Sequence, residues 1–366
     1  MSVPAGRPTA AHGVTALRAA LVTPLSGPLA LYGAAGAAAL GVWAEHAADL
    51  PSPRTRVELE VFDAHPAPAA AMRAALSRQP DVLVGAYGSG PAVAALGATD
   101  RPIWNHGGAT DRLSRPRFAH ALNVPAPASS YFAAVLQAVH AADPASRAVS
   151  LMHAATGFGR EVARGASATA EELGLALRVL AFAPGQAASQ AGQLPPADVL
   201  LVVGSFEDEL TAARVLLGGP WRAAAFVGAG VEEILAPLGL AREGLLGPCQ
   251  WLAHAAPTPE EGPDAAWFTR AFRAATGGEP PYPAAAAFAA GVLCARSLRE
   301  AGTTADEAMV AAAQRLSVTT LFGHFRLDPL SGVQAAHQVL VVQWHQGRRR
   351  VVWPPERAER PVVLRQ

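Results

Sequence analysis

Two glycine-rich turns, each following a short apolar strand, present small hydroxyl groups that could bind an anion. Ser89 lies in the first turn and Thr110 in the second, and a helix is predicted to begin at each turn. Pro91 is tolerated in the first helix because the N–H that it lacks has no intrahelical partner. Hydroxyl groups and free N–H groups at a helix start suit a carboxylate. The alternative is a pair of ordinary βα turns whose glycines serve only the backbone geometry.

The elements around these turns place both hydroxyl groups at one edge of a sheet. Strands are predicted at residues 17–22, 57–62, 82–84, 102–104 and 118–123, with helices between them. This alternation predicts right-handed βαβ units and a parallel sheet, and open α/β sheets bind ligands at the carboxyl edge. Because the fourth strand is predicted to end at Trp104, residues 105–110 are assigned to the second turn.

A second run of strands and helices follows Pro125 and Pro127, which fix an extended backbone. Its strands are predicted at residues 148–153, 176–182, 199–203, 224–227 and 244–251. Three later helices have apolar faces but little sheet of their own, and we expect them to complete the first lobe. A chain of 366 residues is longer than a domain with a single compact core. The sequence therefore predicts an α/β protein with two lobes.

The composition excludes several classes of function. The 29 basic and 29 acidic residues balance, which gives no electrostatic case for binding nucleic acid or an anionic membrane. The absence of lysine excludes a Schiff-base lysine and a P-loop. The histidines lack metal-binding spacings, and the two cysteines, Cys249 and Cys294, are too few for a metal site or a disulfide framework. We expect no metal and no cofactor, and whether the cysteines pair is open.

The N-terminal region shows no recognisable targeting signal. It lacks a basic stretch followed by an apolar core, and no segment of the chain has the length and uniform apolarity of a membrane helix. We expect an extracytoplasmic protein, periplasmic or on the cell surface, if an export signal has been removed. If Met1 is the natural start, we expect a cytoplasmic protein.

Six segments in order along the chain resemble the type I periplasmic binding proteins, and in particular the leucine/isoleucine/valine-binding branch of ABC transporter substrate-binding proteins. They are LVTPLSGPLALYG, DVLVGAYGSG, GGAT, TGFGREVARG, VGSFEDE and the tail from FGHFRLDPLSG to VVWP. The resemblance implies two Rossmann-like lobes with parallel sheets, joined by three crossover segments and enclosing a ligand cleft. The first lobe would comprise residues 14–123 and 257–337, and the second residues 124–256 and 338–366.

The resemblance assigns ligand contacts by position. Ser89 and Thr110 would donate hydrogen bonds to a ligand carboxylate, and the backbones of Gly88 and Gly108 would assist. His106, in the second glycine turn, is a further candidate that the residues suggest independently of the resemblance, as a neutral hydrogen-bond donor to the ligand. Its alternative is a turn histidine that faces solvent.

Aromatic side chains would form the other contacts. Tyr32 would lie near the ligand side chain, and Phe158 and Phe206 would occupy aromatic positions on the second lobe. Two phenylalanines make that wall more apolar than tyrosines would.

One departure from the family pattern affects the choice of ligand. Amino-acid binders of this branch have an acidic residue that pairs with the ligand ammonium after the strand equivalent to residues 224–227, where this chain has Gly230. A buried ammonium without a partner costs several kcal/mol. Either Glu207, Asp208 or Glu232 substitutes, or the ligand carries no amine. An aromatic or aliphatic carboxylate, an amide or a urea-like compound would then fit.

The resemblance implies a solute-binding protein that captures a small carboxylate-bearing ligand, an amino acid or an aromatic or aliphatic acid, by hinge closure. It would deliver this ligand to ABC permease subunits. The alternative is a cytoplasmic ligand sensor that acts on a regulatory partner, as amide-responsive relatives of this fold do.

Catalysis is not expected. An esterase is suggested by residues 106–108, HGG, and by Ser89 after a strand, but residues 85–90 are not G-x-S-x-G. In esterases of that type the HGG segment also precedes the nucleophile. A dinucleotide site at residues 228–230 lacks its third glycine, because Glu233 stands in that place.

Overall fold

Two β-sheets form the framework of the computed structural model, which describes residues 16–47, 56–114 and 116–365. The chain passes between the sheets three times, after residues 123, 249 and 325. This confirms the predicted α/β fold of two lobes joined by three crossover segments. We call the part built on the first sheet lobe 1 and the part built on the second sheet lobe 2. Residues 14, 15 and 366, which the predicted lobe boundaries include, lie outside the described residues.

The first sheet has five parallel strands in the order β2-β1-β3-β4-β5. These are β1 (Leu17–Thr23), β2 (Val57–Asp63), β3 (Val82–Tyr87), β4 (Ile103–Gly107) and β5 (Ala121–Asn123). Three helices connect them: α1 (Ala30–His46), α2 (Pro68–Ser77) and α3 (Ser89–Leu96). The strand order reverses direction beside β1, so the ends of β1 and β3 open into a crevice at the carboxyl edge.

Two details of this lobe differ from the prediction. Strand β4 continues to Gly107, so residues 105–107 belong to the strand and not to the turn. The helix expected after Thr110 is only a short 3₁₀ turn, Asp111–Leu113. Pro116 accounts for the shortness, because a helix starting at Asp111 would contain it, and the residue before a proline avoids the helical conformation.

The second sheet has seven strands in the order β14-β13-β10-β9-β8-β6-β7. In chain order this lobe begins with α4 (Ser130–Ala142), β6 (Ala148–Ala154), α5 (Gly157–Glu172), β7 (Ala176–Phe182), α6 (Ala187–Gln190), β8 (Val199–Val203), α7 (Phe206–Leu216), β9 (Ala223–Phe226) and β10 (Leu246–Cys249). Strands β6 to β10 pair in parallel, and the closing hairpin adds two antiparallel strands at the edge.

Five elements return to lobe 1 before that hairpin: α8 (Ala265–Thr276), α9 (Tyr282–Ala301), α10 (Asp306–Arg315), β11 (Val318–Thr319) and β12 (His324–Phe325). The hairpin itself, which belongs to the second sheet, consists of β13 (Leu340–His345) and β14 (Arg348–Trp353). Phe268 of α8 and Phe288 of α9 share one hydrophobic core with Trp43 of α1 and Trp104 of β4. The late helices therefore cover one face of the first sheet.

Cys249 and Cys294 are both buried and free, so they do not form a disulfide. Within the described ranges no helix is both long enough and apolar enough to cross a bilayer.

Gly33 sets the position of the first turn of α1. A Cβ at this glycine would lie 1.7 Å from the carbonyl oxygen of Pro24, so the helix rests directly on the loop after β1. The preceding residue, Tyr32, is thereby held with its ring buried between the lobes. By contrast, Gly41 in the same helix has no heavy atom within 4 Å of the corresponding position.

We predict opposite effects for alanine at these two glycines. Gly33→Ala should lower the free energy of unfolding by roughly 1–3 kcal/mol, because α1 must shift to admit the methyl group. Gly41→Ala should raise it by about 0.5–1 kcal/mol, because alanine favours a helix interior. Urea denaturation measures both, and equal effects would contradict the close contact at Gly33.

Glu209 is hydrogen-bonded to the residues that follow two strands of lobe 2, β8 and β9. Its side chain is 2% exposed, and its two carboxylate oxygens accept the N–H groups of Gly228 at 2.6 Å and Gly204 at 3.3 Å. Burial raises the pKa of Glu209 to about 8, although both N–H groups favour the ionised form. The folded protein therefore holds this proton at pH values where an unfolded chain has lost it.

The stability of the protein should depend on pH through this group. Its ordinary pKa is 4.5, so the stabilisation is complete below pH 4.5 and is lost as the pH rises through about 8. We expect the free energy of unfolding of the wild type to fall relative to that of Glu209→Gln over this interval. Chemical denaturation at several pH values measures this difference, and parallel profiles would mean that Glu209 is ionised in the folded protein.

Candidate functional site

Aromatic side chains from both lobes meet where the two sheets face each other. Tyr32 lies 1% exposed at the centre, with its ring centroid 5.3 Å from that of Tyr87 and 5.4 Å from that of Phe206. Tyr282, the first residue of α9, and Val231 complete the contact. We call these five residues the interlobe aromatic cluster. Tyr32, Tyr87 and Tyr282 belong to lobe 1, and Phe206 and Val231 belong to lobe 2.

The tyrosine hydroxyls of the cluster are hydrogen-bonded in two pairs. Tyr32 donates to Oε2 of Glu233 across the lobes at 3.3 Å, and the hydroxyls of Tyr87 and Tyr282 share a hydrogen bond of 3.0 Å. Burial raises the pKa of Tyr32, and the nearby Glu233 carboxylate raises it further. Burial likewise raises the pKa of Tyr87 and Tyr282. All three tyrosines therefore remain neutral at physiological pH.

A cavity of about 780 Å³ adjoins the cluster on the side of α9. Its size falls in the range of small-molecule sites. Val231, Glu233 and Tyr282 form the wall shared with the cluster. The remaining wall consists of Glu232, residues 251–254 of the second crossover, Glu279 and the two prolines after it, the hairpin residues 347–350 and Glu359. The cavity therefore contacts both lobes and one of the segments that join them.

Of the three predicted aromatic contacts, the structure brings Tyr32 and Phe206 together. Phe158, near the start of α5, instead packs edge-on against Tyr131 of α4, with ring centroids 5.9 Å apart. Phe158 is therefore not a member of the cluster.

The two predicted hydroxyl donors differ in their surroundings. Ser89 is the first residue of α3 and is half-buried, and within the described residues its hydroxyl has no hydrogen-bond partner. The Thr110 hydroxyl donates to Oε1 of Glu161, which reaches across from α5 of lobe 2, at 2.6 Å. The N–H of Asp111 donates to the other oxygen of Glu161 at 3.1 Å. A carboxylate of the chain itself thus occupies the donors around Thr110.

The glycine backbones expected to assist are hydrogen-bonded within lobe 1. The Gly88 N–H donates to the carbonyl oxygen of Gly107 at 3.1 Å, and the Gly108 N–H donates to Oδ1 of Asn105 at 2.8 Å. Gly88 itself has a φ of +92°, a conformation that favours glycine. In this structure neither N–H is free to meet a ligand.

His106 lies inside lobe 1, so the predicted turn position is wrong. It is a β4 residue whose side chain is completely buried, with Nε2 close to Gly36 of α1. Neither ring nitrogen has a hydrogen-bond partner among the described residues. Burial lowers the pKa of His106 to about 4, so the ring is neutral at physiological pH. The reason for the difference is the three-residue extension of β4, which makes His106 a strand residue.

Gly230, which stands where the family has an acidic residue, and the three acids that could replace that residue lie in different surroundings. Gly230 is required by packing, because a Cβ there would lie 1.7 Å from the carbonyl oxygen of Pro248. Asp208 caps α7 together with Ser205, and Glu232 pairs with Arg349. Glu207 is exposed on α7. Within the described ranges, none of these three acids has a hydrogen bond or an ion pair with a side chain of the cluster.

Glu233 is the acid that reaches Tyr32, and the sequence analysis missed it as a ligand candidate. No local signal distinguishes it from Glu232, because adjacent residues of a loop can point either way. Tyr282 was also missed. Its position at the start of a helix directly after Pro280-Pro281 is a signal that could have identified it as an aromatic at the cleft edge.

No group of three or more histidine, cysteine or carboxylate side chains suitable for a metal ion occurs in the part of the chain that the structure describes. The site is built from aromatic rings, hydroxyls and two interlobe carboxylates. Such a site can enclose a small molecule and orient it through hydrogen bonds.

Solved structures share this architecture at low sequence identity. The leucine-binding protein LivK of Thermotoga maritima has a TM-score of 0.76 and 17% identity, with 92% of this chain and 97% of that chain covered. The substrate-binding protein LivJ of Streptococcus pneumoniae, in complex with isoleucine, has a TM-score of 0.76 and 15% identity, with 93% and 100% covered. A solute-binding protein of R. palustris in complex with benzoate has a TM-score of 0.75 and 17% identity, with 92% and 95% covered.

The family of the chain is identified by a match of its sequence to a family model. No curated protein matches the chain. The family model described as periplasmic binding protein, however, matches residues 16–349, nearly the whole length. Together with the two-lobe fold, this match means that the chain belongs to the periplasmic binding protein family.

Proposed function

We propose that this chain is the solute-binding component of an ABC importer and encloses a small organic ligand between its lobes. The observation that carries the proposal is the interlobe aromatic cluster with its adjoining cavity of about 780 Å³. Rings from both lobes contact each other there, at the edge of the sheets where α/β proteins bind ligands. Similar folds that bind isoleucine or benzoate in their solved structures support the assignment.

The proposed mechanism is hinge closure about the three crossover segments. We assign residues 14–123 and 257–337 to lobe 1, and residues 124–256 and 338–366 to lobe 2. A ligand that contacts both lobes does so only when they are closed, and this differential contact shifts the population towards the closed state. The protein would act by binding and release, without catalysis, and its location would be extracytoplasmic, where it would meet permease subunits.

Hydrogen bonds between the crossovers support a common hinge. The side chain of Gln250 in the second crossover accepts from the N–H of Ala126 at 3.2 Å and donates to its carbonyl oxygen at 3.1 Å. Gln334 in the third crossover donates to the carbonyl oxygen of Val124 at 3.3 Å, and Asn123 donates to that of Gly332 at 3.0 Å. Each crossover is thus bonded to another one.

The ligand class predicted from the sequence is a carboxylate, either an amino acid or an aromatic or aliphatic acid. Such a ligand would meet the Ser89 hydroxyl, which has no hydrogen-bond partner in the described part of the chain. It would reach the Thr110 hydroxyl only if Glu161 withdrew from it. The carboxylate assignment therefore depends on a rearrangement of Glu161, whereas the assignment of a binding function does not.

We predict that a thermal-shift screen of amino acids, organic acids, amines and amides will give a binder. At a hundredfold excess over the dissociation constant it should stabilise the fold by about 2.7 kcal/mol. Phe206→Ala should weaken binding by about tenfold or more, because it removes a lobe 2 wall of the site. Val215→Ala, at the exposed end of the same helix, should bind as the wild type does.

Calorimetry on the three proteins measures these affinities. Unchanged affinity in Phe206→Ala would place the site elsewhere. No binder across the whole screen would count against the proposed function.

A further inference from the structure

Glu161 connects the two lobes close to the first crossover. It lies on α5 of lobe 2, is 8% exposed, and accepts the Thr110 hydroxyl of lobe 1 at 2.6 Å through Oε1. Its other carboxylate oxygen accepts the N–H of Asp111 at 3.1 Å. Hydrogen bonds to a carboxylate are stronger than those between neutral groups. One carboxylate of lobe 2 is thus held by two donors of lobe 1.

The two donors have a fixed orientation on lobe 1. The N–H of Arg112 donates to the Thr110 hydroxyl oxygen at 3.2 Å, so the hydroxyl proton is free to point at Glu161. The segment that carries the donors is anchored to the first crossover, because the N–H of Ala128 donates to the carbonyl oxygen of Ala109 at 2.7 Å. The donors therefore stay in place whether or not Glu161 is bound to them.

The carboxylate has an equally fixed position on lobe 2. A Cβ at Gly165 of α5 would lie 1.7 Å from the carbonyl oxygen of Ser129, so this helix rests directly on the start of α4. Glu161 consequently moves with lobe 2. A hydrogen bond of this kind is lost once its heavy atoms are more than about 3.5 Å apart. A small rotation between the lobes is therefore enough to release Glu161 from Thr110.

The charges around the contact balance. Arg164, three residues further along α5, pairs with the Asp111 carboxylate. Arg112, which has no ion pair within the described residues, lies exposed at the start of α5, with Nη1 4.0 Å from the position of a Cβ on Gly157. Burial raises the pKa of Glu161 and the Asp111 charge adds to this, whereas its two hydrogen bonds and Arg164 lower it. Two guanidinium groups thus accompany two carboxylates at this contact.

We propose that Glu161 acts as an internal carboxylate ligand, which holds the lobes closed at Thr110 and Asp111 when no solute is bound. This inference rests on the proposed hinge closure, because it concerns the balance between the open and closed forms. The closed form is then the main form of the protein in the absence of solute. An entering solute has to wait until Glu161 leaves the Thr110 hydroxyl.

Small-angle X-ray scattering of the full chain after exhaustive dialysis tests the proposal. Glu161→Ala removes the carboxylate, so we expect a larger radius of gyration than that of the wild type, because open lobes are more extended. Glu172→Ala removes an exposed carboxylate from the same helix and should leave the radius unchanged. Equal radii for the wild type and Glu161→Ala would overturn the proposal.

Acetate separates an internal ligand from a general effect of the substitution. In Glu161→Ala the Thr110 hydroxyl and the Asp111 N–H are free, in a space that held a carboxylate. We expect acetate to bind this variant in the millimolar range, as suits so small a ligand, and the wild type about tenfold more weakly or worse. Bound acetate should return the radius of gyration towards the wild-type value.

Acetamide and sodium chloride, at the same concentration as acetate, are the controls for shape and ionic strength. Neither should bind or change the radius of Glu161→Ala. Equal affinity of the wild type and the variant for acetate, or an equal response to acetamide, would contradict the internal ligand.

Thr110→Val tests the same contact if the space left in Glu161→Ala destabilises lobe 2. It removes the hydroxyl donor at nearly constant volume, so we expect a larger radius than that of the wild type and no recovery with acetate. A wild-type radius in Thr110→Val would count against the proposal. These measurements use no solute of the cleft, so the internal ligand can fail while the screen for a solute succeeds, and the reverse.

Discussion

Close backbone contacts that only glycine allows fix both walls of the cleft. Gly33 lies against the carbonyl oxygen of Pro24, and Gly230 lies against that of Pro248. The neighbouring residues, Tyr32 on one lobe and Val231 on the other, are held by these contacts at the interface. Packing density near that of a crystal leaves little room for either segment to adjust. The geometry of the site therefore depends on two backbone contacts that carry no chemistry of their own.

The lobes also hold each other without a ligand between them. Tyr32 packs edge-on against Phe206, Thr110 donates to Glu161, and Tyr32 donates to Glu233. In the proposed hinge closure, each of these contacts would contribute to the free energy of closure. A ligand must offer more than the contacts it displaces, since it shifts the equilibrium only by its differential affinity for the two states. An aromatic or charge-paired ligand meets this requirement better than a small neutral one.

The strand and helix pattern of the chain was predictable because each element is local. Strands β7 and β8 lie at the predicted residues, and the alternation of strands and helices predicted the parallel strands of both sheets. The direction of side chains at strand ends was not predictable. Three additional residues in β4 placed His106 in the strand and not in a turn, and its side chain is buried because side chains alternate along a strand.

Contacts between the lobes were the second feature that could not be predicted from the sequence. Glu161 and Glu233 meet Thr110 and Tyr32 over separations of 51 and 201 residues, and no local pattern encodes such pairs. Tyr32 and Phe206 could be assigned to the cleft because a family resemblance fixes their positions. The residues that set the charge of the site had to be found in the structure.

The hydrogen bonds that the side-chain amides make between the crossover segments limit how the two lobes could move relative to each other. Because Gln250 and Gln334 both attach to the segment around Val124 and Ala126, none of the three connections can bend alone. In the proposed hinge closure, these hydrogen bonds would oppose sliding and independent twisting of the segments and would favour rotation about one axis. The two rims of the cleft would then return to the same relative position after each closure, even if the rims themselves were not rigid.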